Sequence, residues 1–320
     1  MRISIIVAVY NREGFIKECL GSLLKQAKSD FEIIVIDDGS CDRTSEILRQ
    51  YQDPRLRVFR NEKNRGLAYS RNQGVLEARA AVVAFIDSDC TAHPDWAENL
   101  LRPFDGDQEV MMVGGRVDDP LPKTYWEFVN KGNDFIAAQS GYVQRIVGCN
   151  MAFRKDFLRE HPFDETARYP AADELDLCLR CEKRKKKIYY AHDAVVCHYH
   201  RSSMVSTILQ QFHYGFENAR IRIRHRVFPY LSYGGWSILF MITSFLIGLA
   251  GFPLFSVISF VFFIIYCILI SCVIFVLKRR AFWAGIAAFP GEIVACLANS
   301  AGSLYSVWAL NAGWNNDQRT

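Results

Sequence analysis

The sequence predicts an α/β domain built on a mostly parallel sheet, followed by an α-helical membrane region. Two observations carry this expectation. Apolar, β-branched runs of strand length alternate with amphipathic helical stretches over roughly the first hundred residues, the pattern of a sheet covered on both faces. Val227 to Leu277, in contrast, holds no Asp, Glu, Lys or Arg over 51 residues, enough for two membrane crossings at about 20 residues each. The formal charge of +4 on 320 residues excludes a strongly basic nucleic-acid binder, and no aromatic-interleaved basic module is present. Ten cysteines lack metal-ligand spacing. The one CxxC, Cys178 and Cys181, sits in a helical pattern with no second pair, so reduced thiols in a cytosol-facing domain are expected.

The elements follow in order. "MRISIIVAVYN" lacks the length and cleavage site of a signal peptide and reads as a first strand. "REGFIKECLGSLLKQA" carries Phe15, Ile16, Cys19, Leu20, Leu23 and Leu24 at helical spacing. "FEIIVIDDGS" is a strand ending in acids and a glycine, "DRTSEILRQY" a helix, "LRVFRN" a strand, "GLAYSRNQGVLEAR" a helix and "AVVAFIDSD" a strand. Beyond residue 96 the pattern loosens. "VMMVGGRVDD" reads as a strand, "VGCNMAFRKDFL" as a strand or loop entering a helix, "AADELDLCLRCEKR" as a helix and "KIYYAHDAVVCHYH" as a strand pair.

The expected organisation is a catalytic domain over 1–202, a basic amphipathic interfacial segment over 203–228, and a membrane region over 229–320 with helices near 233–252, 254–277 and 282–310. Arg220, Arg222, Arg224 and Arg226 precede the charge-free run and Lys278, Arg279 and Arg280 follow it, so both flanks are expected to be cytoplasmic in a multi-pass membrane protein. The third segment contains Glu292 and Pro290 and is read as a crossing, with a re-entrant or interfacial helix as the alternative.

Free carboxylates at strand ends require a reason, because desolvating an ion costs several kcal/mol unless it is paired or bound to a cation. Asp37 and Asp38 end one strand and Asp87 and Asp89 another; in parallel sheets, ligands bind beyond such carboxyl ends. Asp37 and Asp38 read singly as helix caps, and Asp89 as the start of a turn. Together the acids suit Mg²⁺ or Mn²⁺ held with the phosphates of a nucleoside diphosphate, with Arg71 and Asn72 on the preceding helix as donors to the pyrophosphate. No Walker loop and no G-x-G-x-x-G fingerprint follows a strand, which excludes a P-loop hydrolase and a dinucleotide cofactor.

In order, "SIIVAVYNRE", "IIVIDDGSCDRT", "NRGLAYSRNQG", "VAFIDSDC", "VGCNMAFRKD" and "ADELDLCLR" resemble the motifs of the family 2 inverting glycosyltransferases, over about residues 2–201. The resemblance implies a GT-A fold, Rossmann-like, and a metal-dependent hexosyltransferase-type enzyme of cell-envelope glycan biosynthesis with a C-terminal membrane tail. By position it places Val9 and Tyr10 at the base pocket, Asp38 on the nucleobase or ribose with Asp37 in support, and Arg71 near the nucleotide. Asp87 is implied on the ribose side, Asp89 as metal ligand, and Gly148 and Asn150 in the acceptor-side loop. The family's "EDxDL" is inverted to "DELDL", which makes Glu174 the first choice for catalytic base and Asp173 the second; Asp176 reads as a helix-start acid. Of His198 and His200, His198 matches the position of an additional metal or phosphate contact.

What these features imply is a single displacement. A nucleotide-sugar, with a UDP-sugar favoured, gives its sugar to a hydroxyl of a lipid-linked or polysaccharide acceptor at the membrane, and nucleic acid is not a partner. The alternatives are transfer to a polyprenyl phosphate and a catalytically inactive, membrane-anchored nucleotide-binding module.

Overall fold

A computed structural model describes residues 1–27, 30–130, 136–227 and 282–311. By its contacts the chain forms two compact units, Met1–Pro120 with Asp134–Tyr199, and Leu121–Asn133 with His200–Thr320. Residues 121–133, expected from the sequence in the catalytic domain, group with the C-terminal unit.

The first unit is laid out around one sheet. β1 (Ile3–Val9), β2 (Phe31–Asp37), β3 (Leu56–Arg60) and β4 (Val82–Ile86) run parallel in the order β3-β2-β1-β4. α1 (Ile16–Leu24), α2 (Thr44–Leu48) and α3 (Leu67–Glu77) supply the crossovers. β2 is buried at every position, as a strand covered on both faces requires, which is why its sequence is continuously apolar rather than alternating. Val9 is in register with Asp37, so the turns after β1 and β2 leave the same edge of the sheet together.

The rest of the sheet corrects the expectation of a mostly parallel arrangement. β5 (Cys90–Ala92), α4 (Trp96–Gly106), β6 (Val110–Asp118), β7 (Gly141–Val143), β8 (Asn150–Arg154), α6 (Lys155–Glu160), α7 (Asp173–Lys183) and β9 (Lys187–His198) continue it as β4-β8-β6-β9-β5, with β7 also on β9. α5 (Tyr125–Asn130) belongs to the other unit. β4–β8, β6–β8, β5–β9 and β7–β9 are antiparallel, and only β6–β9 is parallel. The "KIYYAHDAVVCH" segment is one long strand with a shift of register against β6 between Gly115 and Arg116, not a strand pair. Such an irregularity lets a strand bend while staying paired. Two registers position side chains at the acidic edge: Asn150 lies opposite Ile86, and His198 opposite Cys90.

In the second unit α5, α8 (Met204–His225) and α9 (Phe282–Asn311) are described. α8 and α9 approach through small residues: a Cβ on Gly215 would lie 1.7 Å from the Asn299 carbonyl oxygen, and one on Gly302 2.0 Å from that of Phe212. Ser303 Oγ donates to the Gly215 carbonyl at 3.0 Å, and Arg220 Nε holds the fully buried Glu217 at 2.6 Å. The expected membrane helices at 233–252 and 254–277 lie outside the described residues. The expected third crossing is a helix of 30 residues, but no helix among the described residues is long and apolar enough to cross a membrane. Gly291, Glu292, Asn299, Ser300, Gly302 and Ser303 interrupt the apolar run of α9, so the expected span finds no support there.

Candidate active site

The carboxyl edge of β1, β2 and β4 gathers the acids, and two turns interlock there. Asn11, in the left-handed region at φ 51°, accepts from Cys41 N at 2.8 Å through Oδ1, and Arg12 N donates to Thr44 Oγ1 at 2.8 Å. Gly39 is required between Asp38 and Ser40. Its φ is +73°, and a Cβ there would sit 2.6 Å from the Lys63 backbone.

Arg71, on α3, is the centre of the charge network. It is 2% exposed, and its Nη2 lies 2.9 Å from Asp87 Oδ1 and 3.2 Å from the Gly148 carbonyl, while Nη1 donates to Asp173 Oδ2. The rings of Phe163 and Phe85 lie 5.5 and 5.8 Å from its guanidinium carbon. Burial opposes the charge on Arg71, but Asp173 and Asp87 more than offset it and hold the guanidinium firmly protonated. Burial in turn raises the Asp87 carboxyl above its ordinary range; Arg71 pulls it down and Asp89 pushes it up.

α7 begins with Ala172 in a left-handed conformation at φ 58°, an uncommon place for a residue with a Cβ and a form of strain that concentrates at functional sites. This turn presents Asp173 and Glu174 side by side. A Cβ on Gly148 would lie 3.0 Å from Glu174 Oε2, so the glycine leaves room for that carboxylate. Burial, and then the charge of Asp173, push the Glu174 carboxyl up to about 8.

The antiparallel pairing of β5 with β9 brings His198 to Asp89. His198 Nε2 is 3.6 Å from Asp89 Oδ1, and Arg12 Nε is 3.6 Å from Asp89 Oδ2. A carboxylate and an imidazole this close fall within the roughly 4.2 Å that two bonds of about 2.1 Å to one cation can span. The donor set therefore fits Mg²⁺ or Mn²⁺, with the remaining positions left to water and phosphate oxygens.

Residues 4–161 match the family model described as glycosyl transferase family 2. This segment, slightly less than half of the chain, is similar to glycosyl transferase family 2. EpsH of Bacillus subtilis (strain 168) is 29% identical over 228 residues, which cover 66% of this chain and 63% of that protein, so the chain covers slightly less than two thirds of that relative. A glucosyl-dolichyl phosphate glucuronosyltransferase of Haloferax volcanii is 28% identical over 218 residues, covering 62% of this chain and 69% of that protein. Among solved structures, the mannosyltransferase PcManGT from Pyrobaculum calidifontis, in complex with GDP-Man and Mn²⁺, matches with TM-score 0.64 at 16% identity over 96% of this chain and 87% of that one. GalNAc-T7 with UDP, GalNAc and Mn²⁺ matches with TM-score 0.53 at 18% identity over 62% of this chain and 43% of that chain. At these identities the likeness shows the fold, a GT-A-like α/β arrangement on a mixed sheet.

The remaining expected residues divide. Tyr10 is 41% exposed at the end of β1 and is available to a ligand, whereas Val9 is 2% exposed and packs in the core. Asp37 accepts from Ser40 N at 3.0 Å and from Ser45 Oγ, with Arg60 at 3.7 Å, so it ties down the turn. Asp38 accepts from Asn61 Nδ2 at 2.8 Å, Arg65 N at 3.0 Å and Gly66 N at 2.8 Å, so it shapes the 61–66 loop. Asn150 is a correction. Fully buried, it accepts from Trp96 Nε1 at 2.8 Å and donates to the carbonyls of Arg116 and Ala194, both at 2.9 Å, which leaves no side-chain donor for a ligand. It braces β8 against β6 and β9 beneath the site. Arg71 is likewise engaged by carboxylates rather than directed at a pyrophosphate, and Asn72 binds the 163–165 segment. Sequence reasoning missed Arg12. Its signal is a cation two residues past Tyr10 in "YNRE", at the same sheet edge as the acids.

Proposed function

We propose that the chain is an inverting glycosyltransferase that moves a sugar from a nucleoside diphosphate sugar to a hydroxyl of a lipid-linked acceptor. One observation carries the reading: Arg71 engages Asp173, while neighbouring Glu174, its carboxyl raised to about 8, has the room left by Gly148. A base whose pKa lies near the working pH combines a useful ionised fraction with a strong pull on the proton.

In the proposed reaction Glu174 accepts the proton of the acceptor hydroxyl. The acceptor oxygen forms its bond to the anomeric carbon as the bond to the diphosphate oxygen breaks, and the electron pair leaves with the nucleoside diphosphate. A single displacement inverts the anomeric centre and needs no second nucleophilic carboxylate. Asp89 and His198 would hold the divalent cation, which when bound supplies Lewis-acid charge for the leaving diphosphate. Arg12, beside Asp89, adds a fixed cation on the same side. Arg71 is a positioning residue: it fixes Asp87 and Asp173, and through Asp173 the turn that carries Glu174.

The lipid-linked acceptor and a cytoplasmic, membrane-associated location are supported by the arginines at 220–226, the charge-free run that follows them, and a relative named for action on a glucosyl-dolichyl phosphate. The test is a screen of UDP-, GDP- and dTDP-sugars against membranes carrying the protein. Nucleotide release that depends on Glu174, with the product anomer opposite to the donor's, is the expected result; a product of retained configuration would overturn it.

A further inference from the structure

Cys90, Cys149 and His198 come together directly beneath the proposed cation site. Cys90 starts β5 opposite His198, and Cys149 immediately precedes Asn150, which pairs with the end of β4. The two sulfurs and an imidazole nitrogen all lie within 4.8 Å of one another, with the thiols 1% and 4% exposed. Around one tetrahedral cation such atoms stand about 3.5–3.8 Å apart, given bonds of about 2.3 Å to sulfur and about 2.0 Å to nitrogen. Closing the cluster therefore takes shifts of roughly 1 Å. Two thiolates and an imidazole are a soft donor set, which selects Zn²⁺, Cd²⁺ or Co²⁺ over Mg²⁺ and Mn²⁺.

We propose that Cys90, Cys149 and His198 form a second cation site, specific for thiophilic divalent metals, that shares His198 with the hard-cation site at Asp89. The two sites are mutually exclusive at the imidazole, because a metal drawn to the sulfurs takes the His198 ring away from Asp89. Binding releases the thiol protons as the sulfurs become ligands, so it is accompanied by acidification and opposed by low pH. The consequence for activity is inhibition by Zn²⁺ that excess Mn²⁺ relieves only in part. That consequence rests on the transfer reaction proposed above; occupancy of the site does not.

The experiment uses the full chain, reduced with a phosphine and stripped of metal. Co²⁺ is added and sulfur-to-cobalt charge-transfer absorption recorded, and Zn²⁺ retained after dialysis is counted. The expected result is one equivalent of Zn²⁺ and a thiolate–Co²⁺ band in the wild type, both lost in Cys90→Ser/Cys149→Ser. Both are expected to survive in Cys178→Ser/Cys181→Ser, which removes the helical CxxC. A band that persists in the first double variant, or disappears only in the second, would overturn the assignment, as would a wild type that retains no Zn²⁺. Circular dichroism of both variants separates lost ligands from lost folding. Nucleotide release under Mn²⁺ then falls in step with Zn²⁺ occupancy in the wild type, while the Cys90→Ser/Cys149→Ser protein, which keeps Asp89 and His198, resists Zn²⁺. Full activity of the zinc-loaded wild type would refute the sharing of His198, whereas a protein that binds zinc as described but never releases nucleotide would refute only the transferase reading.

Discussion

Arg71 and Asp173 form a buried ion pair across 102 positions of the chain, and the same guanidinium reaches Asp87 at 2.9 Å. Removing one partner of a fully buried pair costs about 3–5 kcal/mol, and less here because the Asp87 side chain is 35% exposed. Arg71→Ala should therefore lower the thermal midpoint markedly, with Arg71→Lys intermediate because an ammonium cannot fork between Asp87, Asp173 and the Gly148 carbonyl. Thermal unfolding by circular dichroism reads this; unchanged midpoints would place the network's strength elsewhere.

The ion pair also ranks the two candidate bases. Glu174→Gln should reduce kcat by about 10²–10⁴-fold, the usual contribution of a positioned base, while raising rather than lowering stability near neutral pH, where the raised carboxyl is costly to the folded state. Asp173→Asn should reduce kcat less and should lower stability. The opposite ranking in single-turnover assays would make Asp173 the base.

The pH dependence has a defined sign in both rate and stability. A base works ionised, so kcat/KM should rise with pH and level off above about 8, and Glu174→Gln should lose this limb. A carboxyl raised from 4.5 to about 8 on folding binds its proton more tightly in the folded state, so its contribution to stability is present below 4.5 and is lost as pH rises toward 8. Denaturant midpoints across that window should fall with pH in the wild type and flatten in Glu174→Gln.

Two glycines should separate architecture from chemistry. A Cβ on Gly115 would lie 2.2 Å from the Ala194 carbonyl oxygen and 2.4 Å from Asn150 Nδ2, both firmly held, so Gly115→Ala should destabilise by about 1–3 kcal/mol. In Gly148→Ala the nearest atom is the movable end of Glu174, at 3.0 Å. Its stability should hold while kcat drops as the base is displaced. Equal losses of stability in the two variants would contradict this division.

Metal removal supplies the last prediction. Chelation should abolish transfer, and Mn²⁺ should restore it in the wild type. In His198→Ala the Mn²⁺ concentration for half-maximal rate should rise by roughly tenfold or more, since even partners outside the ligand set are worth 10–100-fold. Asp89→Ala should not be rescued at any Mn²⁺ concentration.

The parallel half of the sheet was legible in the sequence, because continuous β-branched runs such as "FEIIVID" are compatible only with strands buried on both faces. So was the position of Asp37, Asp38, Asp87 and Asp89 at strand ends, since carboxylates cannot remain inside such a core without partners. The antiparallel half was not legible. The order β4-β8-β6-β9-β5 depends on pairings between residues far apart in the chain, for which local periodicity carries no signal. Those pairings put His198 beside Cys90 and Asp89, and buried Asn150 where only backbone carbonyls and Trp96 reach it. Two adjacent acids, Asp173 and Glu174, are equivalent in a sequence. Folding separates them, because a single buried arginine from another helix reaches one carboxylate and leaves the other raised, beside a glycine that has no side chain to fill the space.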